Sequence, residues 1–208
     1  MPDDDVSTAD RQSAERHEEL RQLRNMLAVI RSIVRRTGDE VDTVDDYRAL
    51  LDGRLAAYLH VQAALAQNRA LGLDLETMVL DELLRFNIRL TDEVEVRGPS
   101  VRLNSDAAGL AALIFHEAAL ASASATAPST DGAELALSVT WQATGDNLLL
   151  RWEDRHSSIA GSPPWSAWIG QAIAHQLSGR LEEDDREGRH VRTICLPSDC
   201  FAMVAPTD

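Results

Sequence analysis

The chain has 208 residues, enough for one ordinary domain or two small ones, and its composition, 44% apolar and 26% charged, is that of a globular protein. A formal net charge of −14 argues against general nucleic-acid binding and against docking on an anionic membrane. All 20 cationic side chains are arginines, which reads first as a composition effect and second as a means of bidentate anion recognition.

The opening stretch MPDDDVSTADRQSAER is acidic and polar, the reverse of a signal peptide, and residues 1–11 read as a disordered tail. No apolar run is expected to span a bilayer, so the expected location is the cytoplasm. Residues 12–72 read as a hairpin of two long helices. In the first, Leu20, Leu23, Leu27, Ile30 and Val34 alternate spacings of three and four, the seam of helices that cross at a shallow angle. Gly38 is expected to break that helix. Thr43 is the expected N-cap of the second, with Asp45 and Asp46 in the first turn, where the helix dipole favours acids. Val44, Tyr47, Leu51, Leu55, Tyr58 and Leu65 fall on one side of it. Such a hairpin has too little core alone, so it is expected to pair with a second copy into a four-helix bundle.

From Asp74 the texture becomes mixed α/β, and residues 73–200 read as a second domain, with 201–208 as a tail. DLETMVLDELLRF reads as an amphipathic helix, and VEVRGPSVRL as two strand pieces around a Gly-Pro turn. SDAAGLAALIFHEAALASA reads as a buried, alanine-rich helix with a serine N-cap. ELALSVTWQATGDNLLLRWED alternates on both sides of Gly145-Asp146-Asn147 and predicts a β-hairpin. WSAWIGQAIAHQLSG reads as a helix closed by Gly179, and GRHVRTICLP as a last strand. This order suggests one sheet with helices on one face, an α+β fold. Cys195 and Cys200 lack a zinc-binding pattern and read as reduced thiols; no metal site is expected.

The segment RQLRNMLAVIRSI resembles the first helix of HWE-type and HisKA_2-type histidine kinase transmitters. That motif runs His-Arg-Val-Lys-Asn-x-Leu-Ala and continues to Ser-Ile. Asn25, Leu27, Ala28, Ser32 and Ile33 keep its register, and Arg24 replaces its lysine. GRLAAYLHVQAAL and GPSVRLNSDAAGLAALIFHEAA are also similar to the family pattern, so the likeness runs from about Leu20 to Pro197. The resemblance implies a helical dimerisation hairpin followed by a Bergerat-type (GHKL-like) ATPase sandwich.

The same comparison implies that the catalytic groups are gone. The phospho-accepting histidine falls on Arg21, whose guanidinium stays protonated and has no lone pair to attack phosphorus. HEAALASA keeps His116 and Glu117, but Ala121 stands at the family's magnesium-binding asparagine. The Trp-x-Glu signature is represented by Trp152 and Asp154. His156 and Ser157 replace the glycines after it, and Pro163 and Trp165 replace those of the phosphate loop. The expectation is a degenerate kinase without ATP, magnesium or any other cofactor.

His17, one helical turn before Arg21, is the catalytic candidate of the alternative reading, a histidine phosphotransferase. A third reading is an active HWE kinase with an unusual site. His116 is otherwise a buried residue of the fold, since neighbours such as Glu117 point about 100° apart on a helix. His60, His156, His175 and His190 have no metal spacing, and Trp165 and Trp168 read as packing. His17, Arg21, Arg24, Ala28, Arg31 and Arg35 recur on one helical face, with Asn25 beside them. Arg21 to Arg36 includes five arginines and no acid. In the resembled kinases this face docks the acidic phosphorylation pocket of a response regulator's receiver domain. The expected partner is therefore such a receiver, or an active histidine kinase.

Overall fold

Helix α1, Asp3–Glu40, and helix α2, Val44–Gln67, form the N-terminal hairpin. The computed structural model describes residues 3–67, 71–91, 93–125, 137–155, 165–186 and 188–204. α1 continues through Gly38 and reaches back to Asp3, into the segment expected to be a tail. One glycine inside a long helix costs only about 1 kcal/mol, too little to end it. Thr43 does cap α2: its Oγ1 accepts the Asp46 N–H at 3.1 Å and donates to the Asp46 carboxylate at 2.6 Å.

The chain divides into two compact units, Met1–Leu55 and Ala56–Asp208. In the first, the buried face of α1 is Val29, Ile33 and Thr37, spaced by four. Arg54 of α2 is fully buried there, donating to Thr37 Oγ1 at 2.9 Å and pairing with Glu40 at 2.6 Å. The leucine seam lies outside this contact: Leu20, Leu23, Leu27 and Val34 are 41–56% exposed.

The second unit takes the rest of α2, where Ala57, Tyr58, Val61 and Leu65 are buried. It continues with β1 (Leu73–Asp74), α3 (Leu75–Arg85), β2 (Val94–Arg97), β3 (Val101–Leu103) and α4 (Ser105–Ala125). Then come β4 (Leu137–Thr144), β5 (Asn147–Arg155), α5 (Trp165–Leu177), β6 (Arg180–Arg186), β7 (Arg189–Pro197) and β8 (Phe201–Met203). Two sheets form where one was expected: β2-β4-β5-β7-β6, with β2 parallel to β4, and a small antiparallel β1-β3-β8. The pieces around Gly98-Pro99 thus join different sheets. A side chain at Gly98 would strike the Trp141 ring, whose indole N–H donates to the Pro99 carbonyl at 2.7 Å. Chain beyond residue 200, expected to be a tail, supplies β8. The last long strand, β7, is paired with β6, whose acidic sequence RLEEDDR hides its strand character.

Helix α4 is capped by Asn104, not Ser105: Asn104 Oδ1 accepts the Ala107 N–H at 2.9 Å, while its amide donates to the Asp199 carbonyl at 2.7 Å. Residues Ser105–Ala123 are long and apolar enough, by composition, to cross a membrane, contrary to the expectation that no such run exists. Of that stretch 78% is buried inside the unit, where alanines let neighbouring helices approach closely. Its Ile114 and Phe115 share a core with Leu148 and Leu150 of β5, Ile194 and Leu196 of β7, and Ile173 of α5. At the end of α5 it is Ser178 that takes the left-handed conformation, φ 52°, with Gly179 following. Burial, with Asp106 nearby, raises the Tyr58 hydroxyl to about 12. Burial, with Asp199 beside it, raises the Cys200 thiol to about 12, so Cys200 is an unreactive thiol at neutral pH. Both cysteines are free.

Candidate functional site

Two sets of side chains carry chemistry, one on each unit. On α1, His17, Arg21, Arg24, Asn25, Ala28, Arg31 and Arg35 are all exposed, so the helix presents an arginine-rich ridge to solvent. His17 Nδ1 lies 2.7 Å from the Ser13 carbonyl one turn earlier. A carbonyl only accepts, so Nδ1 carries a proton, and in the neutral ring the lone pair is on Nε2.

In the second unit the strand alternation drives the site. Leu148, Leu150, Trp152 and Asp154 share the inward face of β5, and His190, Arg192, Ile194 and Leu196 that of β7. Trp152 is opposite Arg192 and Asp154 is opposite His190 in the ladder. An inward arginine needs a carboxylate, and Arg192 Nη1 finds Asp154 Oδ2 at 2.8 Å, with both side chains at most 5% exposed. The Ser122 hydroxyl, on α4, sits 2.7 Å from the same Asp154 oxygen and 2.8 Å from the Ala118 carbonyl. The carboxylate is the stronger acceptor for its single proton. The Trp152 indole donates to Ser122 Oγ at 3.1 Å, and its ring lies 6.1 Å from Phe115 in a stacked pair. Arg192 Nε is also 3.5 Å from Glu183, and the His190 ring nitrogens lie 2.6 Å from Asp185 and 3.4 Å from Glu183. A polar chain therefore runs from the β6 edge to the last turn of α4.

His116 points away from that chain. Its Nδ1 is 2.8 Å from Glu82 of α3, which also pairs with Arg85, and the Phe86 ring lies 5.3 Å from it. Glu117 is buried, and Ala121 is half-buried one residue from Ser122. His156, Ser157 and Pro163 lie outside the described residues. Trp165 begins α5, but its side chain lies outside them as well. The structure thus brings together Trp152, Asp154 and the α4 segment that holds Ala121, and sets His116 apart. Sequence reasoning missed Ser122, Arg192 and Glu82. Arg192 was detectable in principle, as a charge at an inward position of an apolar strand.

Among the described residues, no cluster of histidine, cysteine and acidic side chains could hold a metal ion. Residues 20–100 match the family described as HWE histidine kinase.

Over residues 20–100 the chain resembles HWE histidine kinases.

Its fold agrees. The Erythrobacter litoralis EL346 blue-light activated histidine kinase is similar over 86% of this chain at 15% identity, with a TM-score of 0.57. The chain spans 60% of that protein's length. The histidine kinase domain of the same protein is similar over 85% of this chain and 95% of its own, at 14% identity and a TM-score of 0.51. No curated protein sequence matches the chain. Arg21 lies inside the matched segment, whereas Ala121, Trp152 and Asp154 lie beyond it.

Proposed function

We propose that this protein is a pseudokinase of a two-component pathway, binding a response regulator's receiver domain in the cytoplasm without moving phosphate. The observation that carries the reading is the Asp154–Arg192 pair. The carboxylate at the Trp-x-Glu position has its own internal cation and hydroxyl, both buried with it, so a nucleotide base would have to displace a formed ion pair. The donor set also does not fit magnesium, since a methyl group at Ala121 has no lone pair to ligate it. Neither ATP nor Mg²⁺ is then a cofactor. What remains is the α1 ridge, a block of five arginines in a protein of net charge −14. It complements the acidic pocket of a receiver in place of a phosphohistidine. The exposed leucine seam beside it fits a second copy of the chain, giving a four-helix bundle.

The test is a binding measurement between the full chain and a panel of purified receiver domains. At least one receiver should bind with an affinity that falls with salt, and Arg24→Glu with Arg31→Glu should weaken it roughly tenfold or more. Binding indifferent to that charge reversal would overturn the reading.

A second reading, a phosphotransferase, draws support from the His17 geometry, which leaves Nε2 as the nucleophilic nitrogen. Incubation with labelled phospho-receiver separates the two. The pseudokinase takes no label, whereas the phosphotransferase is labelled and loses the label in His17→Ala.

A further inference from the structure

A pocket of about 250 Å³ lies within the second unit, between the last turns of α2, helix α3, the β1–β3 edge and α4. Its lining includes none of Ala121, Trp152, Asp154 or Arg192, so it is separate from the nucleotide-site positions. The floor is apolar: Ala57, Val61, Met78 and Phe115 are all buried side chains. A volume near 250 Å³ is that of a small organic molecule, and such floors bind the apolar body of one.

The polar groups around it decide what the rest of that molecule must be. Asp74 uses Oδ1 to accept the Thr77 N–H and hydroxyl, both at 2.8 Å, which leaves its other oxygen. Glu82 is engaged by His116 and Arg85. The Arg102 guanidinium is turned onto the backbone, donating to the Leu71 and Gly72 carbonyls at 3.3 and 3.1 Å. Asp81 is half-exposed, and its neighbour His60 stands 3.9 Å away, beyond hydrogen-bond distance. With Glu82 taken by His116 and Arg85, Asp74 and Asp81 remain at this rim beside one imidazole and a guanidinium already turned onto the backbone, so acceptors are in excess. An entering anion is repelled, and a neutral apolar molecule gains no attraction from the carboxylates.

We infer that this pocket binds a small organic cation, an ammonium or amidinium group on a compact apolar body. The charged group meets Asp81 and the outer oxygen of Asp74, and the body lies on Val61, Met78 and Phe115. The site would be an input for a chemical signal, and it does not depend on whether the protein binds nucleotide or receiver.

Benzamidine, phenylacetate and benzyl alcohol, nearly matched in shape, provide the test by calorimetric titration of the full chain. Benzamidine should bind saturably and raise the melting temperature, whereas phenylacetate and benzyl alcohol at equal concentration should do neither. Asp81→Asn should weaken benzamidine binding at least tenfold, and Ala64→Leu, which narrows the pocket, should abolish it with the fold intact by circular dichroism. Equal binding of phenylacetate or benzyl alcohol, saturation that survives Asp81→Asn, or no saturable benzamidine binding in the millimolar range would overturn the inference.

Discussion

Arg192→Met should destabilise the second unit by about 3–5 kcal/mol, the range for removing one partner of a buried ion pair. The loss comes from Asp154, not from the missing guanidinium itself. The carboxylate is 4% exposed and keeps only the Ser122 hydroxyl among its described hydrogen bonds. Replacing both, Arg192→Met with Asp154→Leu, removes the stranded charge and should restore most of the stability. Urea unfolding of the parent and these two variants checks this. A single variant within about 0.5 kcal/mol of the parent would mean that the pair is not formed in solution.

Glu40→Ala should be comparably damaging to the hairpin, again about 3–5 kcal/mol. Arg54 is fully buried between the helices, and Glu40 supplies the carboxylate at 2.6 Å. Thr37 Oγ1, which also accepts from Arg54, carries no charge. Arg54→Leu with Glu40→Leu should recover stability because it replaces a buried and a part-buried charge with apolar volume. Helicity followed through thermal melting reads the effect. Because buried ion pairs set register, the double variant is also the place to look for a second hairpin population. A Glu40→Ala protein that melts with the parent would contradict the assigned pairing.

The sequence carries the element order well, because period-2 and period-3.6 patterns are local. Thr43, the Gly145 turn and the β4–β5 hairpin follow from such patterns. Long-range choices are less visible. The leucine seam looks like the contact between α1 and α2, yet Val29, Ile33 and Thr37 make the buried face, and the leucines are left for another surface. Both stripes have helical spacing, and only the partner helix decides between them. Strand β6 was hidden because an edge strand can be charged on both faces: Glu182 to Asp185 protect an edge and do not describe a core. At the site, Ala121 and Arg21 can be seen as substitutions against a family pattern. Ser122 and Arg192 belong to no motif and are joined to Asp154 only by the fold of α4 over β5 and β7.

Asp154 is held by the protein's own side chains, and the methyl group of Ala121 offers no ligand to magnesium. An equilibrium titration of the full chain with ATP and Mg²⁺ tests it most directly. No saturable binding is expected in the millimolar range, with or without magnesium. Magnesium-dependent binding at micromolar ATP, lost on adding chelator, would contradict it.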